Sequence, residues 1–297
     1  MMQKTIKQFA LENFLVINID DFSKNNHFSI NNNIFMINLD HNNNLLINIL
    51  DNIMIEQPIY LINHLDCNFN IIINSGKNSK LTIIDHKNHQ NNTTNFICDN
   101  NTIIDYYLIQ DTDNSKLQIT QNVNSIFHGK LLSNNLTDTQ LALEINLLQP
   151  NATAELHILQ NTKQKFINSI DLLINHLTTN SSSLTVARSI AHEQASIALT
   201  GKIMVHKCAA KTQAALHSKS LILSPQASII SCPELVINNN DVICTHGSSV
   251  GNLDANALFY MQTRGINLAE ATKILLQAFL QPIIHQIKYQ EIIDYLQ

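Results

Sequence analysis

No tryptophan, six glycines and five prolines occur among the 297 residues of this chain, and charged side chains make up only 14% of it. Each shortage removes a class of function. A formal net charge of −5 supplies no basic field for a phosphate backbone, so nucleic acid is not an expected partner. With 6% aromatic residues and no tryptophan, platforms for sugar rings are scarce, which counts against a carbohydrate-active enzyme. The sequence has no GxxxxGK[ST] phosphate loop, so it is not expected to carry ATP chemistry itself. Near the start, Lys4 and Lys7 are followed by Gln8, Glu12 and Asn13, which interrupt any apolar run. Neither a signal peptide nor a membrane span is expected. The five cysteines, at 67, 98, 208, 232 and 244, form an odd set without a CxxC pair. That argues against a disulfide framework and a closed zinc site, and makes the reducing cytoplasm the expected location.

What is abundant is asparagine, with 41 residues. Asparagine tolerates the left-handed backbone region that tight turns require, so it can replace the missing glycines. A hydrophobic fraction of 44% is enough for a sizeable core.

Most of the chain reads as short apolar segments between polar turns. Leu141, Leu143, Ile145 and Leu147 alternate with Ala142, Glu144 and Asn146, and the period of two returns at Ala154, Leu156 and Ile158 and at Ile203 and Val205. Similar runs occur at Ile71 to Ile73, Leu81 to Ile84, Ile103 to Ile109, Leu117 to Val123 and Leu221 to Leu223. No helical pattern of ten or more residues separates them, which disfavours a doubly wound α/β fold. Periodicity leaves a sandwich, a barrel or a solenoid open, and no fixed-length repeat decides among them.

The pattern changes at Asn252. Asp254 is a plausible N-cap for a helix over Ala255 to Arg264, with Gly265 as the left-handed residue after it. Asn267 and Glu270 then make a capping-box-like start for a second helix with an apolar stripe of Leu268, Ala271, Ile274, Leu275, Ala278 and Phe279. Pro282 is expected to interrupt it before a short final helix near Ile283 to Tyr295. These features divide the chain into a short N-terminal segment (1–30), a strand core (31–251) and a C-terminal helical region (252–297).

The residues richest in chemistry lie where the two patterns meet, in NNNDVICTHGSSVGNLDANALFYMQTRGI from Asn238 to Ile266. On an extended segment Cys244 and His246 project to the same side, so a soft sulfur and a nitrogen ligand share one surface. Cys208 and Cys232 lie at spacings without a zinc signature, and His176, His192, His206 and His217 are scattered along strand-like segments as core or surface imidazoles.

This string resembles the C-terminal signature of the SufB/SufD family of the SUF iron–sulfur cluster assembly machinery, approximately D-V-x-C-x-H-G-A-T-V-G-x-L-D followed by L-F-Y-L-x-S-R-G-I. The likeness extends through ALTGKIMVHKCAAKTQA, SKSLILSPQA and CPELVINNNDVICTHG, and more weakly back through YYLIQDTDNSKLQI to LVINIDDF. Gly247 and Gly251 place it nearer to SufD than to SufB. Ser248-Ser249 replaces the family's Ala-Thr, and Met261-Gln262-Thr263 replaces Leu-Arg-Ser. Family members commonly begin with a helical domain for which only Met1 to Glu12 is available here, so the N-terminal region reads as shortened.

The resemblance implies a mainly β fold, a right-handed parallel β-helix (the SufBD core) with a C-terminal helical appendage. It implies a non-catalytic, SufD-like scaffold subunit of a SufB–SufC–SufD complex. In that picture His246, with Cys244 as the second candidate, is an iron or cluster ligand at the SufB interface. Cysteine and histidine are ligand types that such clusters accept, but two from one chain are too few. No stably bound cofactor is expected in the isolated chain; a transient iron–sulfur cluster would be shared with SufB. The SufC-like ABC ATPase is expected at Leu258, Phe259, Tyr260, Arg264, Gly265, Ile266, Leu275 and Phe279. The alternatives are a self-associating, SufB-like scaffold that forms a homodimer, and a β-helix carbohydrate-active enzyme.

Overall fold

The structure is a computed structural model that describes residues 14–18, 29–31, 34–40, 44–63, 70–87, 92–110, 113–135 and 137–296. The expected N-terminal helix over Met1 to Glu12 lies outside them.

Successive strands alternate between a nine-stranded and a ten-stranded sheet, so each pairs with the strand two before it and the strand two after it. Ile126–Asn135, for example, lies parallel between Ile103–Gln110 and Thr153–Thr162. The result is a parallel β-solenoid of about seven turns. Only the start departs from this, where Ser29–Asn31, Phe35–Leu39 and Asn44–Ile49 pair antiparallel.

The period of two in the sequence is the inward and outward alternation of these coils. In Thr139–Leu147 the side chains of Leu141, Leu143, Ile145 and Leu147 are buried, while Gln140 and Ala142 face solvent. Stacking repeats this at every level and forms one continuous core from Ile17 to Leu216. Each fully buried Leu or Ile in it contributes about 1.5–3 kcal/mol.

Asparagine turns one corner of each early coil. Asn52, Asn78, Asn101, Asn124 and Asn151 all have φ between 55° and 63°. Their side-chain amides form a ladder in which each Nδ2 donates to the Oδ1 of the preceding coil at 2.8 to 2.9 Å. The chain distances between these residues are 26, 23, 23 and 27. Later coils lengthen, with 29 residues from Asn146 to Asn175 and 32 from Ser196 to Ser228. Variable coil length is why no fixed repeat is visible in the sequence.

The helical tail comprises α1 (Ala255–Thr263), α2 (Leu268–Ile284) and α3 (Gln290–Leu296). Its caps are those read from the sequence: the Asp254 carboxylate accepts from the backbone of Asn256 and Ala257, and the Asn267 side chain accepts from Glu270. Gly265 has φ 87°. Pro282 does not interrupt the helix, which corrects the expectation above. It falls in the last turn of α2, where only one helical hydrogen bond is forfeited, and His285 N–H still reaches the Gln281 carbonyl at 3.0 Å.

The expected apolar stripe also differs. The buried residues of α2 are Ala271 and Ile283, whereas Leu268 and Ile274 are exposed. The tail lies along the outer face of the nine-stranded sheet. There Ile283, Ile287 and Ile292 pack with Tyr60, Ile84, Tyr107, Ile109, Leu132 and Leu159. The face used is set by these partners rather than by the helix's own periodicity.

Candidate functional site

The two ends of the solenoid differ. At the N-terminal end the outermost strands are Leu15–Asn18 and Ser29–Asn31, four and three residues long. At the C-terminal end they are Ser228–Ile237 and Val242–Gly251, ten residues each. Among the described residues each of these long strands has a neighbour on one side only, so a row of backbone N–H and C=O groups faces outward, which is the arrangement that templates pairing with another chain. Apolar side chains accompany them: Ile243 is 68% exposed and Ile230 60%.

Val242–Gly251 pairs in parallel with Thr212–Ile222, setting Cys244 beside Ala214 and His246 beside Leu216. Ala214 and Leu216 are buried core residues, so Cys244 and His246 both stand on the inner face of the last coil. Because no further coil covers that face, His246 is exposed, while Cys244 is half-buried against the core. Burial pushes the Cys244 thiol up, partly offset by a backbone hydrogen bond at Ala214. At neutral pH the thiol is protonated and the imidazole is the more accessible donor.

The other cysteines point elsewhere. Cys232, paired with Thr200, faces outward and lines a shallow groove of about 340 Å³ with Asp171, Lys202 and Glu234. Cys208 is exposed in a turn, and Cys98 is buried with its thiol pushed far up by desolvation. Cys67 lies outside the described residues. Among the described residues no group of three or more His, Cys, Asp or Glu side chains is arranged to hold a metal ion. Cys244 and His246 share one face of the last coil without completing such a group.

The four scattered histidines do not join Cys244 and His246 on the inner face; His217, in register with Gly247, faces outward. His176 is fully buried, bonded through Nδ1 to Ser181 and through Nε2 to Ser183 at 2.8 Å each, and desolvation lowers its pKa to about 4. His192 Nε2 lies 2.9 Å from Asn161 Oδ1. His206 is half-buried and His217 exposed.

A second exposed feature is the elbow between α1 and α2. No residue of α1 is buried; Phe259 is 68% exposed and Tyr260 59%. Arg264 stacks on the Tyr260 ring at 5.2 Å and donates to its hydroxyl at 3.2 Å. Leu258, Ile266 and Leu275 are half-buried, and Gly265 forms the turn. Phe279 is held from the sheet side by Arg188, 5.5 Å above its ring.

Sequence reasoning missed the anchor of the tail. Asp105, on the outer face of the nine-stranded sheet, receives Lys130 at 2.9 Å, Lys288 at 2.8 Å and His128 Nδ1 at 3.2 Å. These bonds hold its carboxyl well below the usual carboxylate range despite its burial. Nothing in the local pattern marks the set, because Lys288 lies 183 residues from Asp105.

Fold and site together define a β-solenoid with an open end that carries one thiol and one imidazole, and with a helical strap along one flank. The family model for the SUF system FeS cluster assembly SufBD core domain matches residues 64–279. The chain belongs to this SufBD core family. Among curated relatives, Protein ABCI7, chloroplastic, of Arabidopsis thaliana is 34% identical over 105 residues, which is 35% of this chain and 22% of that protein. The iron–sulfur cluster assembly SufBD family protein slr0076 of Synechocystis is 36% identical over 100 residues, 34% of this chain and 22% of its own length. The iron–sulfur cluster assembly protein SufD of Escherichia coli is 28% identical over 151 residues, 51% and 34% of the two chains. The matched stretches thus span about a fifth to a third of these relatives. No described helix is long and apolar enough to cross a membrane.

Proposed function

We propose that this chain is a non-catalytic, SufD-like scaffold subunit for iron–sulfur cluster assembly. It pairs through its open end with a SufB-like chain and through the α1–α2 elbow with a SufC-like ATPase. The observation that carries this reading is the open end itself. Among the described residues two ten-residue edge strands lack an outer neighbour, and on their inner side His246 is exposed beside a half-buried Cys244.

A partner that continues the two sheets would bury the exposed isoleucines and bring its own ligands against His246. A cluster assembled there is cargo, held by ligands from both chains and released afterwards. ATP chemistry belongs to the partner at the elbow, whose movement would open and close the interface. Cytoplasmic location follows from the same reading. The family assignment displaces the carbohydrate-active alternative.

Co-expression with SufB-like and SufC-like chains, followed by native mass determination of what copurifies, tests this. A complex with one copy of this chain, one SufB-like chain and two ATPases is the expected result. A stable homodimer that ignores both partners would replace it with the self-associating scaffold.

A further inference from the structure

One polar column runs up the inner face of the nine-stranded sheet. Gln110, Ser133, Gln160, Ser189 and Ser220 occupy equivalent places on successive coils, all of them buried. Deep in the solenoid their polar groups satisfy one another. Ser189 donates to Gln160 Oε1 at 3.0 Å, Gln160 Nε2 donates to Asn168 Oδ1 at 2.8 Å, and Asn168 Nδ2 donates to Ser133 Oγ at 3.0 Å. The last member differs. Ser220, one coil below the open end, is 3% exposed and its hydroxyl has no partner among the described residues.

Beside it, two positions earlier on the same inner face, is Ser218, also buried. Ser218 accepts a hydrogen bond of 3.0 Å from Ser231, which reaches across from the other sheet. Accepting that bond leaves the Ser218 proton to be donated. Directly above, in register, Ser218 is covered by Ser248 and Ser220 by Val250, both exposed. His246 covers Leu216, which puts it diagonally above Ser218, one coil away at a spacing of about 7–8 Å between backbones. Ser231 is half-buried and Ser248 exposed, so hydroxyls line the way in from the open end.

Buried hydroxyls are as a rule bonded to a neighbour, as Ser133 and Ser189 are. Among the described residues Ser115, Thr162 and Thr185 are exceptions within the solenoid, and Ser220 is the exception nearest the open end. Two donors left unspent, those of Ser218 and Ser220, lie one coil below the strand that carries Cys244 and His246 and fit an acceptor that arrives from outside. Soft donors above and hydroxyl donors below suit sulfur, since hydrogen bonds to cluster sulfides tune and stabilise them.

We propose that Ser218, Ser220 and Ser231 form the hydroxyl floor of the open end and bind a sulfur anion, the sulfide of an assembling cluster, beneath the strand that carries His246. This rests on the scaffold reading above for the identity of the anion.

The test is a titration of the full chain, 13Cβ-labelled at serine, with sodium hydrosulfide under anaerobic conditions, against sodium chloride at equal ionic strength. The expected result is a saturable shift of the Ser218, Ser220 and Ser231 signals with hydrosulfide only. It should weaken at least tenfold in the Ser218→Ala/Ser231→Ala variant, which removes donor and acceptor together, and be kept in Ser218→Thr. Ser220→Ala breaks no existing bond, so it carries the test if the double variant fails to fold. Absence of a saturable shift, equal binding by the alanine variants, or an equal response to chloride overturns the floor. Hydrosulfide binding needs no partner chain. A protein that binds it through these serines yet copurifies with no scaffold or ATPase therefore keeps the floor and loses the proposed function.

Discussion

The ammonium of Lys288 lies 2.8 Å from Oδ2 of Asp105, joining the end of the helical tail to the middle of the solenoid. The same carboxylate holds Lys130 at 2.9 Å, and the two lysines differ sharply: the Lys130 side chain is 5% exposed and that of Lys288 64%.

That difference predicts unequal effects of breaking the two bonds. Asp105→Ala leaves the buried Lys130 ammonium without its carboxylate and should destabilise the protein by about 3–5 kcal/mol. Lys288→Met removes a largely solvated partner and should cost about 1 kcal/mol or less. Urea denaturation of both variants measures this. Equal losses would mean that the tail, not the buried charge, dominates the anchor.

His176 predicts a dependence on acid. Its folded pKa, about 4, lies below the ordinary 6.5, so the unfolded chain binds the proton more readily than the folded one. Its contribution is present above pH 6.5 and is lost as pH falls from there through 4, amounting to about 3 kcal/mol. Denaturation midpoints taken at pH 7, 5.5 and 4.5 should fall, and His176→Asn should flatten that part of the profile. An unchanged profile in the variant would assign the acid sensitivity to other groups.

The asparagine ladder predicts an order of substitutions. Asn101 has φ 57° and bonds to both Asn78 and Asn124. Asn101→Gly loses the amide bonds but suits the backbone; Asn101→Ala loses the bonds and adds about 1–2 kcal/mol for a left-handed residue with a Cβ. Thermal unfolding should therefore rank the natural chain above glycine and glycine above alanine. Equal melting of the two variants would mean that the amide bonds account for the whole effect.

His246 and Phe259 predict losses of function without losses of stability. Both side chains are exposed, so His246→Ala and Phe259→Asp should melt within about 1 kcal/mol of the natural chain. In the assembled complex His246→Ala should lower cluster yield, read from the visible absorbance after anaerobic reconstitution. Phe259→Asp should instead reduce the ATPase recovered by copurification. Full cluster yield from the first variant would remove His246 from the site, and undiminished ATPase from the second would remove the elbow.

Much of this architecture was readable locally. Alternation at Leu141 to Leu147 marked a half-buried strand because inward and outward positions of an extended chain differ by one residue. Asp254, Asn267 and Gly265 marked helix ends because capping involves residues only a few positions apart. The common face of Cys244 and His246 followed from the same alternation. Pro282 and the stripe on α2 were misread because the outcome depended on which surface the helix meets.

Local sequence specifies the strands, their inner and outer faces, the asparagine turns, the caps and the placing of one thiol and one imidazole on a common face. All of these rest on backbone and side-chain preferences acting over a few residues. Tertiary structure alone decided that coils of 23 to 32 residues stack in register, since that register comes from core packing between segments of unequal length. It also decided that Lys288 meets Asp105, 183 residues away, so the tail lies along the flank of the solenoid. With the tail spent on that flank, the last two strands keep an open edge, and His246 stays in contact with solvent.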